Sequence, residues 1–142
     1  MKTVFVDSSV LFSAVNSPSG GSSKLLILKN LKLITSPVVL AETERNVRKK
    51  LQSYHLERFF SLVNLLNIQD QIPNDRLIEK AKKVIAEKDT VILAEAKQAK
   101  THFLVTLDAK HFFTIPVYTF LKPQRVVTPK MIIELTENNN KK

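Results

Sequence analysis

The sequence predicts an α/β protein, a three-layer α/β/α sandwich around a central, mainly parallel sheet of four to five strands. Two short apolar runs, Val4-Phe5-Val6 and Phe103-Leu104-Val105, have the uninterrupted β-branched and aromatic character of strands buried on both faces. Segments with helical apolar spacing alternate with strand-like ones along the chain. Each run is also followed by a carboxylate, Asp7 or Asp108. Open parallel sheets bind ligands beyond the carboxyl ends of their strands, where the strand order reverses.

The elements follow in order. Val10-Leu11-Phe12-Ser13-Ala14 reads as the start of a helix, interrupted by the loop Asn16 to Ser23, which holds both glycines. That loop lacks the spaced glycines and the Lys-Ser/Thr ending of a phosphate cradle, so it reads as a flexible surface loop, with Ser22 or Ser23 capping the next helix. Lys24 to Leu31 forms that helix. Leu31 to Thr35 is a strand. Ser36-Pro37 starts a helix to about Gln52, with Leu40, Val47 and Leu51 on one face. His55 to Leu66 is amphipathic, and Asn67 to Ile72 is a short third strand. Pro73-Asn74-Asp75 caps a helix over Arg76–Glu87, and Val91 to Lys100 carries a small-residue helical face. After the strand ending at Val105 come a helical turn, Lys110 to Phe113, and a final strand, Pro116 to Phe120. Thr128-Pro129 opens a last helix, Lys130–Glu137. Residues 1–137 form one domain, and 138–142 a polar tail.

Composition bounds the function. At 142 residues the chain is one domain by length, and its 44% hydrophobic and 25% charged residues are ordinary for a globular protein. Met1-Lys2 leads straight into a strand, so no signal peptide and no membrane span are expected, and cytoplasm is the default. The absence of cysteine excludes disulfides, thiolate metal sites and cysteine nucleophiles. Three histidines, at 55, 102 and 111, argue against a histidine-rich zinc site. The excess of 22 Lys and Arg over 13 Asp and Glu, a net +9, favours a phosphate polymer as partner.

Four acids stand at element ends: Asp7, Glu42, Asp89 and Asp108. Each has a bland role available. Asp7 and Asp89 suit helix starts, and Glu42 suits a solvated helix position beside Arg45 or Asn46. The chain nevertheless resembles the PIN-domain family, the nuclease fold of VapC-type toxins. The resemblance rests on Val6-Asp7-Ser8-Ser9-Val10-Leu11, on Ile34-Thr35-Ser36-Pro37 followed by Glu42, on Asp89-Thr90-Val91-Ile92-Leu93-Ala94-Glu95-Ala96, and on Phe103-Leu104-Val105-Thr106-Leu107-Asp108. These stand in the family's order along nearly the whole chain.

The resemblance implies a PIN-like fold and a metal-dependent endoribonuclease with Asp7, Glu42, Asp89 and Asp108 as ligands. It also implies products with 5′-phosphate and 3′-hydroxyl ends, an antitoxin partner and a homodimer. Thr106 matches the hydroxyl residue just before the last acid, where it would orient a ligand or a metal-bound water. Ser9 stands where members often carry Asn or another polar side chain; serine can still hydrogen-bond to a carboxylate but reaches less far. Independently of the family, converging carboxylates must bind protons or cations, and all-oxygen ligands select Mg²⁺ or Mn²⁺. Lys110 and His111 are candidates for contact with the RNA backbone, or else an exposed charge and a partly packed imidazole. Two other readings stay open. One is a non-catalytic RNA- or partner-binding domain. The other is a phosphotransfer enzyme of the haloacid-dehalogenase kind, which needs an acid where Ser9 stands.

Overall fold

The computed structural model describes residues 1–140, and the side-chain surroundings of residues 1–138. Five strands and nine α-helices alternate among the described residues. In chain order they are β1 (Lys2–Val6), α1 (Ser8–Asn16), α2 (Gly21–Leu26), β2 (Leu31–Thr35), α3 (Pro37–Lys50), α4 (Tyr54–Val63), β3 (Asn67–Ile68) and α5 (Asp75–Lys82). A 3₁₀ turn, Glu87–Asp89, leads into α6 (Thr90–Ala99), followed by β4 (Phe103–Val105), α7 (Ala109–Phe112), α8 (Ile115–Leu121), β5 (Arg125–Val127) and α9 (Pro129–Asn140). The sheet order is β3-β2-β1-β4-β5, and every pairing is parallel. No helix among the described residues is long and apolar enough to cross a membrane.

The core lies where the sequence places its most apolar strands. Val4, Phe5, Val6, Leu104 and Val105 are wholly buried, as required of central strands covered on both faces. On one face α1 packs against α2, α3 and α4, and α9 returns to α2. Helix starts follow their local chemistry. Ser36 Oγ accepts from the Val39 amide at 3.2 Å with Pro37 in the first turn, and Asn74 Oδ1 accepts from the Leu77 amide at 2.8 Å.

Several elements depart from expectation. The strand expected over Pro116–Phe120 is helix α8. Thr114 caps it, and Pro116 falls in the first turn, where its missing N–H costs nothing. Val117 and Leu121, one helical turn apart, are both wholly buried. The fifth strand is instead Arg125–Val127, whose Val126 and Val127 are buried against β4. Helix α2 begins at Gly21, and neither serine caps it. Ser23 turns inward: its Oγ lies within 3.0 Å of the Ala14 and Ser17 carbonyls and accepts from Arg58 at 2.9 Å. The Gly-containing loop is therefore anchored at its end by α4. Strand β3 keeps only two residues, because beyond Ile68 only the Gln69 amide still bonds to β2, at Thr35 O. Helix α5 ends at Lys82 rather than Glu87, leaving the 3₁₀ turn to deliver Asp89. Helix α9 runs on to Asn140, through the first residues expected to be a tail; residues 141 and 142 of that tail lie outside the described residues.

Strand order locates the ligand crevice. From β1 the chain first moves outward to β2 and β3, then crosses back to β4 and β5 on the other side of β1. The β1/β4 seam is therefore the switch point, and its carboxyl end is a crevice.

Candidate active site

Asp7 leaves the end of β1 and Asp108 follows β4, so the two flank this crevice from adjacent strands. Asp89 enters at the junction of the 3₁₀ turn with α6, and Glu42 from the second turn of α3. All four acids line one cleft of about 260 Å³. A larger cavity, about 560 Å³, lies at the opposite, amino end of the strands among Lys2, Lys100, His102 and Arg125. No acid lines it, so the smaller cleft is the one that gathers the carboxylates.

Asp7 occupies the position before α1, yet its carboxylate makes no capping bond. It is 3% exposed, and Oδ2 instead accepts from Ser9 Oγ and from Thr106 Oγ1, each at 2.7 Å. Both hydroxyls are themselves held by the loop after β4. Ser9 Oγ accepts from the Leu107 amide at 3.0 Å, and Thr106 Oγ1 from the Asp108 amide at 3.1 Å. Serine at position 9 thus has the reach that this geometry requires, because the loop backbone comes to it. Two hydroxyls donating to one oxygen fix the orientation of the Asp7 carboxylate.

Asp89 differs. It is 7% exposed, and its buried Oδ2 has no hydrogen-bond partner. Burial raises its carboxyl from the ordinary 3.8 to about 6; the negative charges of Asp108 and Asp7 push the same way, against the opposing pull of Lys88 and His111. Although Asp89 precedes α6, it does not cap it. Asp108 does cap the short α7, accepting from the His111 amide at 3.3 Å, and the same residue's imidazole Nδ1 sits 2.8 Å from Asp108 Oδ2. His111 Nδ1 is also 3.9 Å from Asp89 Oδ2.

Glu42 accepts from Ser8 Oγ at 2.9 Å, which draws it to the cleft wall rather than to Arg45. Two cations reach the rim, Lys50 from the last turn of α3 and Lys88 from the 3₁₀ turn. Lys50 Nζ stands 5.8 Å from the centre of the Phe12 ring. Sequence reasoning passed over both lysines; a basic residue two turns beyond Glu42 on the same helix was the available signal for Lys50. Of the two residues offered as RNA contacts, His111 joins the acids and Lys110 is exposed outside the cleft lining.

The donor chemistry fits a divalent cation. An orphaned, buried carboxylate oxygen beside two more carboxylates costs free energy unless a cation or proton meets it. Ligand atoms of Asp89, Asp108 and His111 lie within 4.8 Å of one another, with Asp7 and Glu42 on the surrounding walls.

Known proteins match this arrangement at the level of fold. A structure of VapBC2 from Rickettsia felis bound to a DNA fragment from its promoter aligns with a TM-score of 0.65 and 18% identity, covering 89% of this chain and 98% of that one. PAE2754 from Pyrobaculum aerophilum aligns with a TM-score of 0.67 and 13% identity over 96% of both chains. VapC20 of Mycobacterium tuberculosis, described as a sarcin-ricin loop cleaving toxin, aligns with a TM-score of 0.57 and 17% identity over 75% of this chain and 90% of that one. No curated protein matches the sequence. The sequence itself matches the PIN domain model over residues 4–115, a span that runs from β1 through all four acids, and the chain belongs to the PIN domain family.

Proposed function

We propose that this chain is a metal-dependent endoribonuclease, the toxin of a toxin–antitoxin pair, which hydrolyses RNA phosphodiester bonds. The observation that carries the reading is the unpartnered, buried Oδ2 of Asp89, set among three other acids at the switch point of the sheet. Asp89, Asp108, Asp7 and Glu42 would hold Mg²⁺ or Mn²⁺ directly or through water. Bound there, such an ion supplies Lewis acidity at the phosphate and an activated water. The chain's own groups do the rest. Ser9 and Thr106 hold the Asp7 carboxylate at a fixed angle. Lys50 and Lys88 draw the phosphate backbone to the cleft mouth, within a protein of net charge +9. No side-chain nucleophile is required.

RNA as substrate is supported by the fold likeness to a toxin described as cleaving the sarcin-ricin loop, and an antitoxin partner by the likeness to VapBC2. The surface between α3 and α4 is suited to a protein partner: Leu40 and Val63 line an apolar groove edged by half-exposed Phe60 and Ile68. A homodimer, implied by the family, would show as twice the chain's mass when the purified protein is weighed in solution. Ser9 bonded to Asp7 leaves no second acid for phosphotransfer of the dehalogenase kind. The test is incubation of structured RNA with the purified protein and Mg²⁺ or Mn²⁺. Cleavage should appear, stop with chelator, and vanish in folded Asp108→Asn. Binding without cutting under all conditions would favour the non-catalytic reading.

A further inference from the structure

We infer that His111 is itself a metal ligand through Nδ1, making the site a nitrogen–oxygen donor set that favours Mn²⁺ over Mg²⁺. This rests on the nuclease reading and changes its metal chemistry, because carboxylates alone would select hard cations without that bias.

Three observations converge. First, Asp108 and His111 stand three residues apart across the α7 turn, which puts both side chains on one face of it. Nδ1 accordingly faces both Asp108 oxygens, at 3.0 and 2.8 Å, and Asp89 Oδ2 at 3.9 Å. Second, these distances suit shared coordination. Ligand atoms of Asp89, Asp108 and His111 all lie within 4.8 Å of one another, close enough that a single cation would reach all three. Third, an imidazolium–carboxylate pair between His111 and Asp108 explains the 2.8 Å contact but leaves Asp89 Oδ2 buried and unpartnered at 3.9 Å. A cation among the three atoms satisfies them all.

The nitrogen decides selectivity. Imidazole is a better ligand for d-block cations than for Mg²⁺, which keeps to oxygen, and Mn²⁺ is the member of that series that also suits carboxylate and water ligands. A site of four acids and one imidazole therefore prefers Mn²⁺ without excluding Mg²⁺. His111 lies on a surface turn, with its side chain 28% exposed, so its replacement leaves the core untouched.

The test reads the metal and not catalysis. Mn²⁺ is bound to full-length wild type, His111→Asn and Asp89→Asn. Nitrogen-14 modulation of the Mn²⁺ electron-spin echo is then recorded, and Mn²⁺ and Mg²⁺ affinities are measured by calorimetry. Circular dichroism verifies that each variant is folded. The wild-type echo should carry imidazole nitrogen modulation and His111→Asn should not; the chain's other two histidines remain as internal controls. The ratio of Mn²⁺ to Mg²⁺ affinity should fall by about tenfold or more in His111→Asn, since even outer partners of a metal ligand matter that much. Mn²⁺ bound by wild type and weakened in Asp89→Asn, but with no nitrogen modulation and an unchanged ratio in His111→Asn, would overturn the inference and leave the nuclease reading standing. No Mn²⁺ binding by wild type would overturn both.

Discussion

Thr106 Oγ1 donates to Asp7 Oδ2 at 2.7 Å, a bond between residues 99 apart that closes the β1/β4 seam at its carboxyl end. It makes the two strands deliver their acids as one unit. Thr106 is wholly buried and also accepts from the Asp108 amide, so one hydroxyl sets the positions of two of the four acids.

Thr106→Val keeps the shape and removes both bonds. It should cost about 1–3 kcal/mol of stability, because the part-buried Asp108 amide and the buried Asp7 carboxylate oxygen each lose a partner. Thr106→Ser should restore most of it. Urea denaturation of the three proteins checks the pair; equal stability of wild type and Thr106→Val would show that water replaces the hydroxyl without loss.

The two central strands and the starts of α3 and α5 were readable because their signals are local. Val4-Phe5-Val6 and Phe103-Leu104-Val105 are wholly apolar, and Ser36-Pro37 and Asn74 cap the helices they precede. The Pro116–Phe120 segment misled because its proline, β-branched and aromatic residues have strand-like composition. Only the Val117/Leu121 spacing and the Thr114 cap show the helix, and both depend on which face meets the core. Arg125–Val127 is too short for any period to show. The four acids that converge on the cleft stood out in the sequence through their element ends and family order. The arrival of Lys50 and Lys88 at the same cleft depends on how α3 and the 3₁₀ turn pack, which no local pattern encodes. His111 had a local signal, its three-residue spacing from Asp108, but which way the turn faces is a tertiary fact.

In chelator, Asp89 is the acid whose neutralisation should help most. Its folded pKa of about 6 lies above the ordinary 3.8. The folded state therefore binds the proton more tightly, and stability falls as pH rises through that window. Asp89→Asn should flatten this slope and exceed wild type at pH 7 by about 1–3 kcal/mol. Asp7→Asn should gain less, because Ser9 and Thr106 already stabilise the Asp7 charge. Melts in chelator across pH 4 to 7 decide the order of the two.

Glu95 supplies a second pH test away from the cleft. It is 5% exposed on α6, and Ser36 Oγ donates to it at 2.7 Å. Burial raises its carboxyl above the ordinary glutamate value of 4.5, with the Ser36 bond opposing. Folded protein again holds the proton more tightly, so this group lowers stability as pH rises past its unfolded pKa. Glu95→Gln, which can still accept from Ser36, should raise the denaturation midpoint at pH 7.5 and have little effect at pH 4. A loss at pH 7.5 would mean that the ionised Ser36 bond outweighs the burial cost.

Lys50 and Lys88 at the cleft rim should each account for one phosphate contact. Replacing either by Ala should reduce the slope of log affinity for RNA against log salt by about one while leaving the melt unchanged. Lys110→Ala, outside the cleft lining, should leave the slope close to wild type. Filter binding over a salt series reads all three.

The most direct measurement is cleavage of one end-labelled RNA by wild type, Asp89→Asn and Asp108→Asn, each with saturating Mn²⁺ and each with chelator. Both variants should first be shown to be folded. The expected result is that only wild type with Mn²⁺ cuts, and that both variants still bind the RNA. Full cleavage in chelator, or by both variants with Mn²⁺, would contradict the claim that this cleft acts as a carboxylate-held metal site.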